Sequence, residues 1–100
     1  MEDQKAIMVI TAIVNKENIA ELPSYLEQIQ SIFGKNGARP VGRYKTMQDL
    51  AGTDSPEIVS ITEFDNAEII KAMVESDEFT DLAELRARVF SKLNLMICGV

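Results

Sequence analysis

Residues 6–14 read Ala-Ile-Met-Val-Ile-Thr-Ala-Ile-Val, apolar at both parities, which predicts a central strand covered on both faces. The period then changes. Ile19, Leu22, Leu26, Ile29 and Phe33 recur at steps of three and four, a single stripe along a helix. Two starts are open: Asn18 with Glu21 resembles a cap, whereas Pro23 suits the first turn of a helix that begins there, where its missing N–H costs least. Gly34 and Gly37 bracket the expected end, with Lys35 favourable beside the negative helix terminus.

A second strand is expected over Val41 to Met47, weakened by Gly42. Its alternation puts Val41, Arg43 and Lys45 on one face and Gly42, Tyr44 and Thr46 on the other. Asp49 to Pro56, with Gly52, Asp54, Ser55 and Pro56, reads as a loop. Ile58 to Phe64 is the clearest later strand, carrying Val59, Ile61 and Glu63 on one face and Ile58, Ser60, Thr62 and Phe64 on the other. Asp65 and Glu68 form a cap-like pair ahead of a helix bearing Ile70, Met73 and Val74. Ser76 followed by Asp77 and Glu78 is a restart signal, and a further helical segment runs from about Asp77 to Phe90. A last strand covers about Leu93 to Cys98 and stops at Gly99.

The order β-α-β-β-α-β, with the second helical element broken near Ser76, is the ferredoxin-like α+β arrangement: an antiparallel four-stranded sheet with its helices on one face. One domain is expected over residues 1–100, with an ordered core at about 6–99. Helices on one face leave the apolar residues of the other face of the first strand uncovered. A second copy covers them most simply, so a homodimer through the sheet faces is expected.

Composition narrows the chemistry. Sixteen acidic against ten basic residues give a net charge of −6, which argues against nucleic acid or an anionic membrane surface as partner. One cysteine, Cys98, permits no intrachain disulfide, and its apolar strand makes it a small packed residue rather than a nucleophile. The start Met-Glu-Asp-Gln-Lys is not an export signal and no apolar run reaches membrane-spanning length, so a cytoplasmic setting is expected. With no histidine, Ser-His-Asp and Cys-His nucleophilic arrangements and closed Cys/His zinc sites are excluded within the chain. No spaced calcium loop, dinucleotide fingerprint or phosphate loop occurs; a carboxylate-only magnesium site stands open without a positive signal, and no cofactor or metal is expected.

The strongest polar constellation is Arg43, Tyr44 and Glu63 on neighbouring strands, with Tyr25 of the first helix as a wall. Glu63 shares a face with Val59 and Ile61, where desolvation favours its protonated form and suits it to proton transfer. Arg43 can hold an anion or polarise an oxygen, and a tyrosine hydroxyl can orient it. The simpler reading of the same residues is a structural Arg43–Glu63 pair with Tyr44 packed beside it.

The chain resembles the small dimeric α+β barrel proteins grouped as domain of unknown function 1330. Tyr25 in the first helix carries the resemblance, with Gly37, Ala38 and Arg39 at its end and Arg43 in the second strand. The pair Glu63 and Phe64 and the break Ser76, Asp77, Glu78 and Phe79 continue it. The resemblance implies a homodimeric barrel with a ligand cleft and no settled reaction. Two functions then stand open. One is a small-molecule binding or accessory protein, its ligand met by Tyr25, Arg43, Tyr44 and Glu63. The other is a cofactor-independent enzyme carrying out proton transfer, isomerisation or oxygenation on a small carbonyl or aromatic compound, in which Glu63 exchanges a proton and Arg43 stabilises negative charge.

Overall fold

The computed structural model describes residues 5–53 and 55–99. The chain runs β1 (Ala6–Val14), a 3-10 helix (Lys16–Glu21), α1 (Leu22–Lys35), β2 (Arg39–Lys45), β3 (Ile58–Phe64), α2 (Ala67–Glu75), α3 (Asp77–Thr80), α4 (Ala83–Val89) and β4 (Phe90–Cys98). The strands form one antiparallel sheet in the order β2-β3-β1-β4. This is the ferredoxin-like α+β fold.

Capping explains the helix boundaries. Pro23 sits in the first turn of α1, as one of the two expected starts has it. The preceding residues form the 3-10 helix instead, and Asn15 caps it by accepting from the Glu17 amide at 3.1 Å. Asn18 is therefore not the cap; its side chain donates to the Arg88 carbonyl at 3.0 Å. A similar correction applies before α2, where Asn66 rather than Asp65 accepts from the Ile69 amide at 3.0 Å. Ser76 does break the second helical region, its hydroxyl oxygen accepting from the Phe79 amide at 3.3 Å. A second break between Thr80 and Ala83 divides the expected Asp77–Phe90 segment into α3 and α4, and β4 begins three residues before the expected Leu93.

The register assigns every strand residue to a face. Met8 lies opposite Thr62 and Ile97, and Ile10 opposite Ser60 and Leu95. With Ala6, Ala12 and Phe64 these form the helix-covered face. Its core continues into the helices through Tyr25, Ile29, Ile32, Ile70, Met73, Phe79, Leu82 and Val89. Phe64 is wholly inaccessible and meets Phe33 edge to face, with ring centroids 6.0 Å apart. The other face carries Ile7, Val9, Ile13, Val59, Ile61 and Met96, and among the described residues no helix lies over it. The molecule is only 17 Å through its thinnest dimension, room for one helical layer on one sheet. Cys98 is paired with Ile7 on this bare face and half-buried there.

Two carboxylates fasten the ends of β3. Glu57 accepts from the Val14 amide and from Lys16 Nζ, each at 2.9 Å, and these partners hold its pKa below the usual carboxylate value, the Lys16 hydrogen bond first. Glu63 accepts from Arg39 Nε at 2.8 Å, which lowers its pKa likewise, and the same guanidinium reaches Asp65 at 2.8 Å.

Phe64→Ala should cost about 3–5 kcal/mol in urea unfolding, because an enclosed ring leaves a cavity that the sheet cannot collapse to fill. An acid titration of stability tests the two carboxylates. Their folded pKa values lie below the unfolded reference of 4.5, so their contribution is fully present above that pH. It is lost as pH falls below 4.5 and through the folded values. The double variant Glu57→Gln, Glu63→Gln should be less stable at pH 7 and lose less on acidification than the parent, read from denaturant midpoints between pH 6 and 3.

Candidate functional site

Between α1 and the covered face of the sheet lies a cleft of about 560 Å³, within the range of small-molecule sites. Its walls follow from side-chain size. From α1 come Leu22, Tyr25, Leu26, Ile29 and Phe33, while the sheet beneath presents Ala12 and Ser60 among Ile10, Ile58 and Leu93. Small residues facing large ones leave space that the backbone, held by hydrogen bonds, does not close. Phe79 and Phe90 complete the wall, and Phe90 meets the Tyr25 ring edge to face at 5.4 Å.

The polar groups on this wall are few. Arg43 reaches it from β2, where it lies opposite Ser60, and Thr62 and Gln30 add neutral hydrogen-bonding groups. Arg43 is exposed, and its side chain makes no ion pair or hydrogen bond among the described residues. Tyr25 is 5% exposed, and its hydroxyl accepts a hydrogen bond from Arg86 Nε at 3.1 Å.

Arg86 went unrecognised in the sequence pattern. It is a half-buried cation that also donates to the Phe79 carbonyl at 2.8 Å, and its guanidinium lies 4.1 Å from the Phe79 ring centroid. Its position on the amphipathic Asp77–Phe90 segment, seven residues after Phe79, is the available signal: an arginine three or four residues from Leu82, Val89 and Phe90 borders the buried stripe.

The four expected site residues do not form one constellation. Tyr25 and Arg43 line the cleft, whereas Glu63 and Tyr44 lie on the opposite, bare face of the sheet. A β-bulge causes the separation. Pairing runs Arg39 to Glu63 and Pro40 to Thr62, then skips Val41 and resumes with Gly42 to Ile61 and Arg43 to Ser60. Strict alternation from Arg39 puts Arg43 on the Glu63 face; the extra residue turns it through to the helix side. Val41 correspondingly does not share a strand face with Arg43 and Lys45 in regular register. Arg39 takes the place beside Glu63 that Arg43 was expected to fill, and the Arg39 hydrogen bond favours the ionised carboxylate rather than a protonated one. Tyr44 folds its ring back over Gly42, where a Cβ has no room with the ring in that position. Among the described residues no group of three or more acidic or cysteine side chains is arranged to hold a metal ion, and no helix is long and apolar enough to cross a membrane.

Solved structures share this architecture. A methylated protein, RPA0582, of Rhodopseudomonas palustris superposes with a TM-score of 0.81 at 11% identity, covering 99% of this chain and 82% of that one. A dimeric protein of unknown function with a ferredoxin-like fold from Bacteroides fragilis gives 0.67 at 14% identity, with both chains fully covered. SnoaB, a cofactor-independent oxygenase of Streptomyces nogalater, gives 0.69 at 11% identity over 97% of this chain and 93% of its own. At these identities the likeness is one of fold. No curated protein sequence matches the chain. Residues 6–99, from the start of β1 to just beyond β4, match the family described as domain of unknown function 1330, and the chain belongs to that family.

Proposed function

We propose that the protein is a homodimer that binds a small, mainly apolar molecule in the cleft between α1 and the sheet of each protomer, as a binding or accessory protein. The observation that carries this reading is the cleft itself: about 560 Å³, walled by leucine, isoleucine and aromatic side chains, with a few polar groups converging on it. The cleft opens to solvent at the β2 edge, where Val41 and Arg43 are exposed, so a small molecule has a way in and can displace water from the apolar walls.

The dimer is supported by the bare sheet face. Val9, Ile61 and their neighbours form a continuous apolar surface there, with Tyr44 and Met96 54% and 43% exposed. Flat apolar surface of this kind is buried by stable association in soluble proteins. The Bacteroides fragilis neighbour of like fold is described as dimeric. The single unpaired thiol of Cys98 fits a reducing, cytoplasmic setting.

The enzymatic alternative, with Glu63 as proton carrier, has weaker support. A general base must reach the proton it takes, and a carboxylate poised for exchange near neutrality has a raised pKa. Glu63 is on the far face from the cleft, and Arg39 lowers its pKa. The oxygenase SnoaB shares the fold without lending this chain its chemistry.

Native mass spectrometry on freshly purified protein reads both claims at once. A dimer of 11.1 kDa chains carrying a retained small molecule, or taking up an added apolar dye, is the expected species. Val9→Asp should shift that species to monomer, since a charge on the seam must be desolvated. Ser60→Leu should fill the cleft and reduce dye uptake at least tenfold while leaving the dimer intact. A monomer at low micromolar concentration refutes the dimer, and undiminished uptake by Ser60→Leu refutes the cleft.

A further inference from the structure

We propose that the occupant of the cleft is an amphipathic organic anion: an apolar body seated between α1 and the sheet, with a carboxylate met by Arg43. This rests on the cleft being a ligand site, as proposed above, and adds the ligand's charge.

The argument begins with where the cations are. The chain has ten lysines and arginines. Six form ion pairs with carboxylates, namely Lys5, Lys16, Lys35, Arg39, Lys71 and Arg88. Lys45 acts through space on Glu57. Among the described residues that leaves Arg43, Arg86 and Lys92 facing no carboxylate, and two of these three border the cleft. Arg43 lines it directly, and Arg86 touches the rings of Tyr25 and Phe79, both of which line it.

An uncompensated guanidinium on the wall of an apolar cleft, with a second in contact with two of the lining rings, is notable in a chain of net charge −6. The surrounding acid surface repels free anions, so an anion settles only where positive charge is left unneutralised. Low-dielectric walls strengthen that local attraction. The geometry distinguishes the two arginines. Arg86 already spends donors on the Tyr25 hydroxyl and the Phe79 carbonyl. Arg43 makes no such bonds among the described residues, so its planar fork is available for a bidentate contact with a carboxylate. Ser60 stands opposite Arg43 across the β2–β3 ladder and offers a hydroxyl beside it.

Arg86 has a positioning role. By donating to the Tyr25 oxygen and to the Phe79 carbonyl, it fixes two aromatic rings that wall the cleft. The recognised class is therefore an aromatic or branched aliphatic carboxylate rather than a neutral hydrocarbon, an amine or a polyanion. One free fork matches one carboxylate, and the rest of the wall is apolar.

A matched pair of probes tests this: 2-naphthoate and the neutral 2-naphthalenemethanol, titrated calorimetrically into the full chain. A charge-assisted contact predicts that naphthoate binds about tenfold or more tightly. The preference should shrink between 20 and 500 mM salt, because Arg43 is exposed to screening. Arg43→Gln should abolish the preference without weakening the neutral probe. Lys92→Gln, removing the uncompensated cation outside the cleft, should preserve it. Equal binding of the two probes overturns the anion inference while leaving the cleft as a ligand site. Binding of neither at millimolar concentration overturns both readings. A preference that survives Arg43→Gln overturns the assignment to Arg43, and the unfolding midpoint of that variant confirms that the comparison is between folded proteins.

Discussion

A sheet has two faces, and helices cover only one of this sheet's; the rest of the structure answers to that constraint. β1 is apolar at both parities because its two sets of side chains have different tasks. Ala6, Met8, Ala12 and Val14 are buried under the helices, and Ile7, Val9 and Ile13 stand on the bare side. Burial of a side chain the size of Met8 or Val14 contributes about 1.5–3 kcal/mol, and the alanines let the helices approach the sheet, so the covered set anchors the fold. The other set remains available for association. Because side chains alternate with a period of two, each residue's function depends on which face its register assigns it.

The bulge at Val41 is where that assignment is made for the polar residues. It gives Glu63 to Arg39 and sends Arg43 to the cleft. The two arginines are four residues apart and alike in sequence, yet one serves the edge of the sheet in a salt bridge with Glu63 and Asp65, and the other is left without a carboxylate on the cavity wall. A single unpaired residue thus separates an arginine held in ion pairs from one that no carboxylate neutralises among the described residues. Gly42 beside the bulge belongs to the same arrangement, since the Tyr44 ring occupies the space above it.

Local patterns were legible where short-range physics dominates. The strand at Ile58–Phe64 and the restart at Ser76 follow from alternation and from a hydroxyl that can cap the next turn. The element order identified the ferredoxin-like fold, and the pattern around Tyr25, Glu63 and Ser76 resembled the family to which the chain belongs. Caps were harder. Asp65 and Asn66 are adjacent and chemically similar as caps, and the choice went to Asn66 while Asp65 pairs with Arg39 from a distant strand. Asn18 likewise found a partner seventy residues away in the Arg88 carbonyl. Of the candidate site, Tyr25 and Arg43 follow from the pattern and line the same cleft; Glu63 and Tyr44 stand across the sheet, and Arg86 reads as one surface arginine of an amphipathic segment until its neighbours are known.

What the sequence determined by itself was therefore the sequence of elements, the one-sided helical layer and the chemistry that a chain without histidine lacks, since these depend on periodicity and composition. The tertiary structure alone decided the bulge at Val41, the partner of Glu63, the cleft between α1 and the sheet, and the contact of Arg86 with Tyr25. Each of these joins residues between 24 and 61 positions apart or depends on the shape left between packed elements. Register and volume are properties of the assembled sheet and helices, and no local run of side chains encodes either one.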